Sequence, residues 1–145
     1  MRGDDDHGAR PTRPAAGTPA PRGARPQRTR RRLGWSLAVL WAAFIFWQSS
    51  TPDAGGMLDW LPPGSDKVAH AVAFLVLAGL LTLATGRPLV AAALAVLYGA
   101  SDEVHQAFVP GRSSDALDLV ADTAGAALGA WLVARALRRR GRGAV

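Results

Sequence analysis

Four apolar stretches leave this chain of 145 residues few ways to fold: Leu33 to Gln48, Val68 to Thr85, Leu89 to about Gln106, and Ala116 to Leu137. Each approaches the roughly 20 residues that carry a helix across a hydrocarbon core of about 30 Å. The first holds no ionisable residue, and its string "LGWSLAVLWAAFIFWQS" is apolar on every face. A helix of that kind faces lipid or other apolar helices rather than water. A chain this short cannot surround four such helices with a soluble shell. The expected fold class is therefore all-α: an integral membrane bundle of four transmembrane helices.

The flanks are different. Residues 1–32 contain nine arginines among many prolines, glycines and alanines, too few apolar groups to offset the entropy of ordering. They are expected to form a disordered basic arm, followed by a four-helix domain over residues 33–138 and a basic tail over 139–145. The segment "TRRRLGWSLAVL" resembles an export signal, but no clean small-x-small cleavage site follows it, so a retained first helix is expected.

Charge sets the expected orientation. With four spans, the arm, the link containing Arg87 and the arginine-rich tail share one side, which the bias of lysine and arginine makes the cytoplasm. Both termini are then cytoplasmic. The other side gathers Asp53, Asp59, Asp66, Asp102, Glu103, Asp115, Asp118 and Asp122 against Lys67 and Arg112. The net charge of +6 therefore reflects membrane orientation and headgroup contact, not specific binding of nucleic acid. The expected location is the cell membrane, with the bilayer as the first partner.

At 100° per residue, Asp66 and His70 share a face of the second helix. On the third, Tyr98, Asp102, His105 and Gln106 fall within about 100° of one another, with Glu103 to one side. On the fourth, Asp115, Asp118 and Asp122 form a stripe that Gly125 and Gly129 continue. Charges at that level cost about 2–3 kcal/mol against lipid, so they should face one another inside the bundle. The small-xxx-small string "GAALG" lies on the aspartate face and would let helices approach closely, bringing Asp122 toward the second or third helix. Pro110-Gly111 should turn tightly and set Arg112 over the cluster, either paired with Asp102, Asp115 or Asp118 or free to hold a ligand phosphate or carboxylate.

The string "DEVHQ" does not make a metalloprotease: there is no H-E-x-x-H, and Glu103 and His105 stand about 160° apart on a helix. A site shared between helices, such as His70 and His105 with Asp102 or Asp118, stays open, as does a carboxylate site for a hard cation. No metal and no cofactor is assigned. Acid-base chemistry has candidate carboxylates and histidines but no evident nucleophile, since Ser65 reads as a helix cap and the other serines lie at span ends or loops.

"DKVAHAVAF" at Asp66 to Phe74 and "SDEVHQAFVPGRSSDALDLVADTAGAALG" at Ser101 to Gly129, in that order and separation, resemble the VanZ-like family, known for a protein associated with teicoplanin resistance. The family's pattern falls on Asp66, Lys67, His70, Asp102, Glu103, Gln106, Pro110, Arg112 and Asp118; Asp122 stands where many members carry asparagine. The resemblance implies a small integral membrane protein with an outward polar site made of these residues, with His105 beside them. The leading expectation is that this site engages an anionic, lipid-linked envelope component and alters glycopeptide susceptibility. A membrane-embedded hydrolase or transferase acting on a lipid-linked phosphate is the second reading, and a structural or partner-binding protein the third. Nothing in the sequence bears on oligomeric state.

Overall fold

The computed structural model describes residues 24–52, 60, 62–112 and 114–142. They form four helices: α1 (Ala24–Ser49), α2 (Ser65–Thr85), α3 (Pro88–Gln106) and α4 (Ala116–Arg142). No strand occurs among the described residues. Each expected apolar stretch is a helix, and the ends differ in instructive ways. Helix α1 begins nine residues before Leu33, inside the stretch expected to be disordered. Arginine is a good helix former, and Pro26 lies in the first turn, where its missing N–H has no partner to lose. Residues 1–23 of the arm lie outside the described residues, as do Asp53, Asp59 and the last three residues of the tail. Helix α4 likewise continues through the arginines to Arg142.

Of the four helices, α2 and α4 are by themselves long and apolar enough to cross a membrane. The apolar run of α1 is bounded by Arg32 and by Gln48-Ser49, and α3 ends in Asp102, Glu103, His105 and Gln106.

The turns follow from glycine and proline. Gly86 closes α2 in the left-handed region at φ 71°, its N–H bonded to Thr82 O, and Pro88 then opens α3 at a position that needs no N–H. Gly111 has φ 73°, and Arg112 N bonds to Val109 O at 3.1 Å, the tight Pro-Gly turn expected from sequence. Ser65 is not the cap of α2: Gly64 takes that place, and Ser65 Oγ instead donates to Pro62 O at 2.7 Å.

The bundle alternates in direction. Arg31, early in α1, donates to the carbonyls of Ala84 and Thr85 at the end of α2, where a cation complements the helix dipole. Lys67, early in α2, meets Asp115 and Asp118 at the start of α4. Ser49, at the end of α1, meets Asp102 near the end of α3. One end of the bundle is therefore basic and the other acidic.

The core is built from small residues: Ala78, Ala84, Ala91, Ala95 and Ala126 are fully buried, with Phe74 the largest buried apolar side chain. Small residues allow close approach, and α4 uses this against α2. A Cβ on Gly125 would strike the carbonyl oxygen of Ala71, and one on Gly129 that of Leu75. These are the two glycines of "GAALG". Helix α1 also comes close to α2, a Cβ on Gly34 standing 2.7 Å from Ala84 N, and side chains tie it on further: the Trp41 indole donates to Ala73 O at 2.9 Å and Tyr98 OH to Ala42 O at 2.7 Å.

Candidate functional site at the acidic end

The close α2–α4 contact sets two charged layers side by side. In the outer one, Lys67 Nζ lies 3.0 Å from Asp66, 2.6 Å from Asp115 and 2.7 Å from Asp118. One ammonium thus serves three carboxylates. Asp115 also caps α4, accepting the Leu117 N–H at 2.8 Å. The ammonium of Lys67 and then that N–H hold the Asp115 carboxyl below its ordinary range.

One turn deeper, His70 Nδ1 meets Asp122 Oδ1 at 3.1 Å, with Asp118 Oδ2 3.9 Å from Nε2. Asp122 is wholly buried, and its other oxygen faces α3: a Cβ on Gly99 would stand 2.9 Å from Asp122 Oδ2. Glycine there leaves the room that the carboxylate occupies. Glu103 reaches this group from α3. Its Oε2 accepts the Asp115 N–H at 2.9 Å and the Ser114 hydroxyl at 3.2 Å, which fixes the loop before α4.

The rest of the α3 stripe turns to α1. Asp102 Oδ2 accepts from Ser49 Oγ at 2.7 Å and from Gln106 Nε2 at 2.9 Å, all three groups being buried. His105 stacks on Phe46 with centroids 4.7 Å apart, and its Nε2 lies 2.9 Å from Ser50 Oγ. Ser50 Oγ also lies 2.7 Å from Phe46 O one turn back, and the tautomer of the ring sets which of Ser50 and His105 donates in their contact.

Arg112 stands apart from both groups. Among the described residues its guanidinium forms no ion pair, and its Nε is buried without a hydrogen-bond partner. The pairing with Asp102, Asp115 or Asp118 that its place in the turn allowed is not made. Lys67 takes Asp115 and Asp118 instead, being already on the helix that packs against them.

The sequence-predicted residues thus divide in two. Asp66, Lys67, His70, Glu103, Asp118 and Asp122 come together between α2, α3 and α4; Asp102, His105 and Gln106 meet α1. Asp102 and Glu103 are neighbours in sequence yet face different helices. Sequence reasoning missed Ser49, Ser50 and Ser114 as partners. The polar end "QSST" of the first apolar run was the available signal for the first two.

Comparison with known proteins places this geometry in a family. The VanZ/LLP1 family matches residues 34–138, more than half of the chain and all of the polar cluster. No curated protein and no solved structure matches it. The matched region contains both the α2–α4 glycine contact and every residue of the acidic end described above, and on that match the chain belongs to the VanZ/LLP1 family, which is membrane-associated and linked to teicoplanin resistance.

Proposed function

We propose that the chain crosses the cell membrane four times with both termini in the cytoplasm, and that its outward acidic end engages an anionic, lipid-linked envelope component, altering glycopeptide susceptibility. The membrane reading is supported by large apolar side chains left exposed on every helix, among them Leu40 at 66%, Val72 at 52%, Leu97 at 67% and Val120 at 63%. Exposed apolar surface on all four helices suits lipid and not water. Two cysteines introduced into this cysteine-free chain test the orientation. Phe108→Cys, at 82% exposure near the acidic end, should react with an impermeant thiol reagent in intact cells, and Leu89→Cys, at 86% near the basic end, should not. The reverse pattern would invert the orientation.

The anion-binding reading rests on Arg112. Lys67 is fully engaged by three carboxylates, so an anion would have to displace them to reach it. Arg112 has no such commitment among the described residues, and a guanidinium presents a planar fork suited to phosphate or carboxylate. Arg112→Ala, expressed at matched protein level, should abolish the effect on teicoplanin susceptibility. Arg112→Lys should retain part of it, since charge is kept and the two-pronged geometry is lost. Unchanged susceptibility with Arg112→Ala would remove the site assignment.

A further inference from the structure

Among the described residues the acidic end holds more carboxylates than its cations pair with, and two of the unpaired ones, Glu103 and Asp122, stand together in the deeper layer. Lys67 is spent on Asp66, Asp115 and Asp118. Glu103 and Asp122 are left with His70, and a ligand atom from each of these three lies within 4.8 Å of the other two. Donors bonded to one first-row ion at about 2.0–2.2 Å stand roughly 3–4 Å apart, so a small inward movement of side chains would close this group on an ion.

The way the two carboxylates are held points the same way. Each is anchored through one oxygen and leaves the other bare. Glu103 Oε2 takes the Asp115 N–H and the Ser114 hydroxyl, while Oε1 is buried with no hydrogen-bond partner among the described residues. Asp122 Oδ1 takes His70, while Oδ2 is equally buried and, among the described residues, unpartnered, on a residue that is 0% exposed. Asp118 Oδ1 also lacks a hydrogen bond, but it lies 2.7 Å from the Lys67 ammonium and is neutralised there; Asp102 Oδ1 is likewise buried and bare, but Asp102 belongs to the group facing α1 and not to the three residues whose ligand atoms stand within reach of one another. An ionised oxygen out of water without a partner is costly, whereas the same oxygen on a cation is the ordinary ligand of a metal site held by its outer contacts.

We infer that His70, Glu103 and Asp122 form a binding site for a divalent transition ion, with manganese and zinc the best matches to one imidazole and two carboxylates. The imidazole argues against magnesium and calcium, which favour all-oxygen shells, and the absence of cysteine argues against a thiolate site. The ligands come from α2, α3 and α4, so the ion would tie three helices together. The inference goes beyond the anion-binding reading and stands on different side chains, so each can fail without the other.

Equilibrium dialysis of the untagged full-length protein in detergent, stripped with chelator and then titrated with Mn2+ or Zn2+ alone, tests it. One ion per chain is expected, with equimolar Mg2+ unable to displace it. Glu103→Gln and Asp122→Asn, which keep size and hydrogen bonding, should each weaken binding by about tenfold or more. His105→Ala, in the group facing α1, should leave it intact. For wild-type protein loaded with Mn2+, pulsed electron paramagnetic resonance should show one coupled imidazole nitrogen, a readout that does not depend on how the variants fold. No binding of either ion at millimolar concentration, undiminished binding in both carboxylate variants, or no coupled nitrogen would overturn the inference.

Discussion

Valine at Gly125 or Gly129 should cost about 3 kcal/mol or more and lower both the thermal midpoint in detergent and the amount of protein in the membrane. The reason is backbone against backbone. A Cβ at Gly125 runs into the carbonyl group of Ala71, and at Gly129 into that of Leu75, neither of which can rotate away as a side chain could. Helices α2 and α4 must then separate along their closest line of contact, and His70 loses Asp122 with them. Gly141, in the same helix, has nothing among the described residues within 4 Å of a Cβ built there. Alanine at that position should stabilise slightly, by about 0.5–1 kcal/mol, through helix propensity alone. Opposite signs for glycine substitutions in one helix would identify the α2–α4 seam as the cause; equal, small effects at Gly125 and Gly141 would show that the seam does not carry the fold.

Lys67→Met should be the most damaging single change among the partly exposed charges, because it leaves Asp66, Asp115 and Asp118 facing one another without a cation. Methionine keeps the length of the stem, so the loss is electrostatic. The expected fall in thermal midpoint at neutral pH is several degrees, larger than for an isolated surface pair and smaller than for a fully buried one, since the lysine side chain retains 28% exposure. The pH dependence gives the sharper test. Lys67 holds Asp115 below its ordinary range, so this stabilisation is complete above the ordinary carboxylate value of about 4 and disappears as pH falls through the depressed one. The gap in thermal midpoint between wild type and Lys67→Met should therefore be full at pH 7 and close in acid. A gap that stays constant or widens between pH 5 and pH 3 would assign the effect to lost packing.

Much of this arrangement was legible in the sequence, and what escaped has a physical cause. Apolar runs located the four helices, because burial or lipid contact demands runs of that length. Helical angles correctly grouped Asp102 with Gln106 and separated Glu103, since those angles belong to one helix and need no neighbour. Which neighbour each face meets is another matter. Asp102 and His105 were expected over the second and fourth helices and instead meet Ser49 and Ser50 of α1. Periodicity carries no information about the rotation of a helix relative to its partners; that is settled by where small residues allow close approach. The "GAALG" string was such a signal: it brought Asp122 toward the second or third helix, and Asp122 meets both, His70 of α2 and Gly99 of α3. The start of α1 at Ala24 escaped because composition averages over a segment, whereas a helix once nucleated propagates through neighbouring good formers at little cost.

The pairing of α2 with α4 also has a consequence in time. Lys67 and Asp115 are 48 residues apart in the chain, and His70 and Asp122 are 52 apart. A ribosome has therefore made all of α2 and α3 before Asp115 and Asp118, which share Lys67 with Asp66, exist. During that interval the second helix carries an ammonium and an imidazole whose α4 partners have not yet been made, and the third carries Glu103 without the loop that will anchor it. A chain cut short before Ala116 would keep those charges and lack Asp118 and Asp122, so α4 is the helix that makes α2 and α3 permissible.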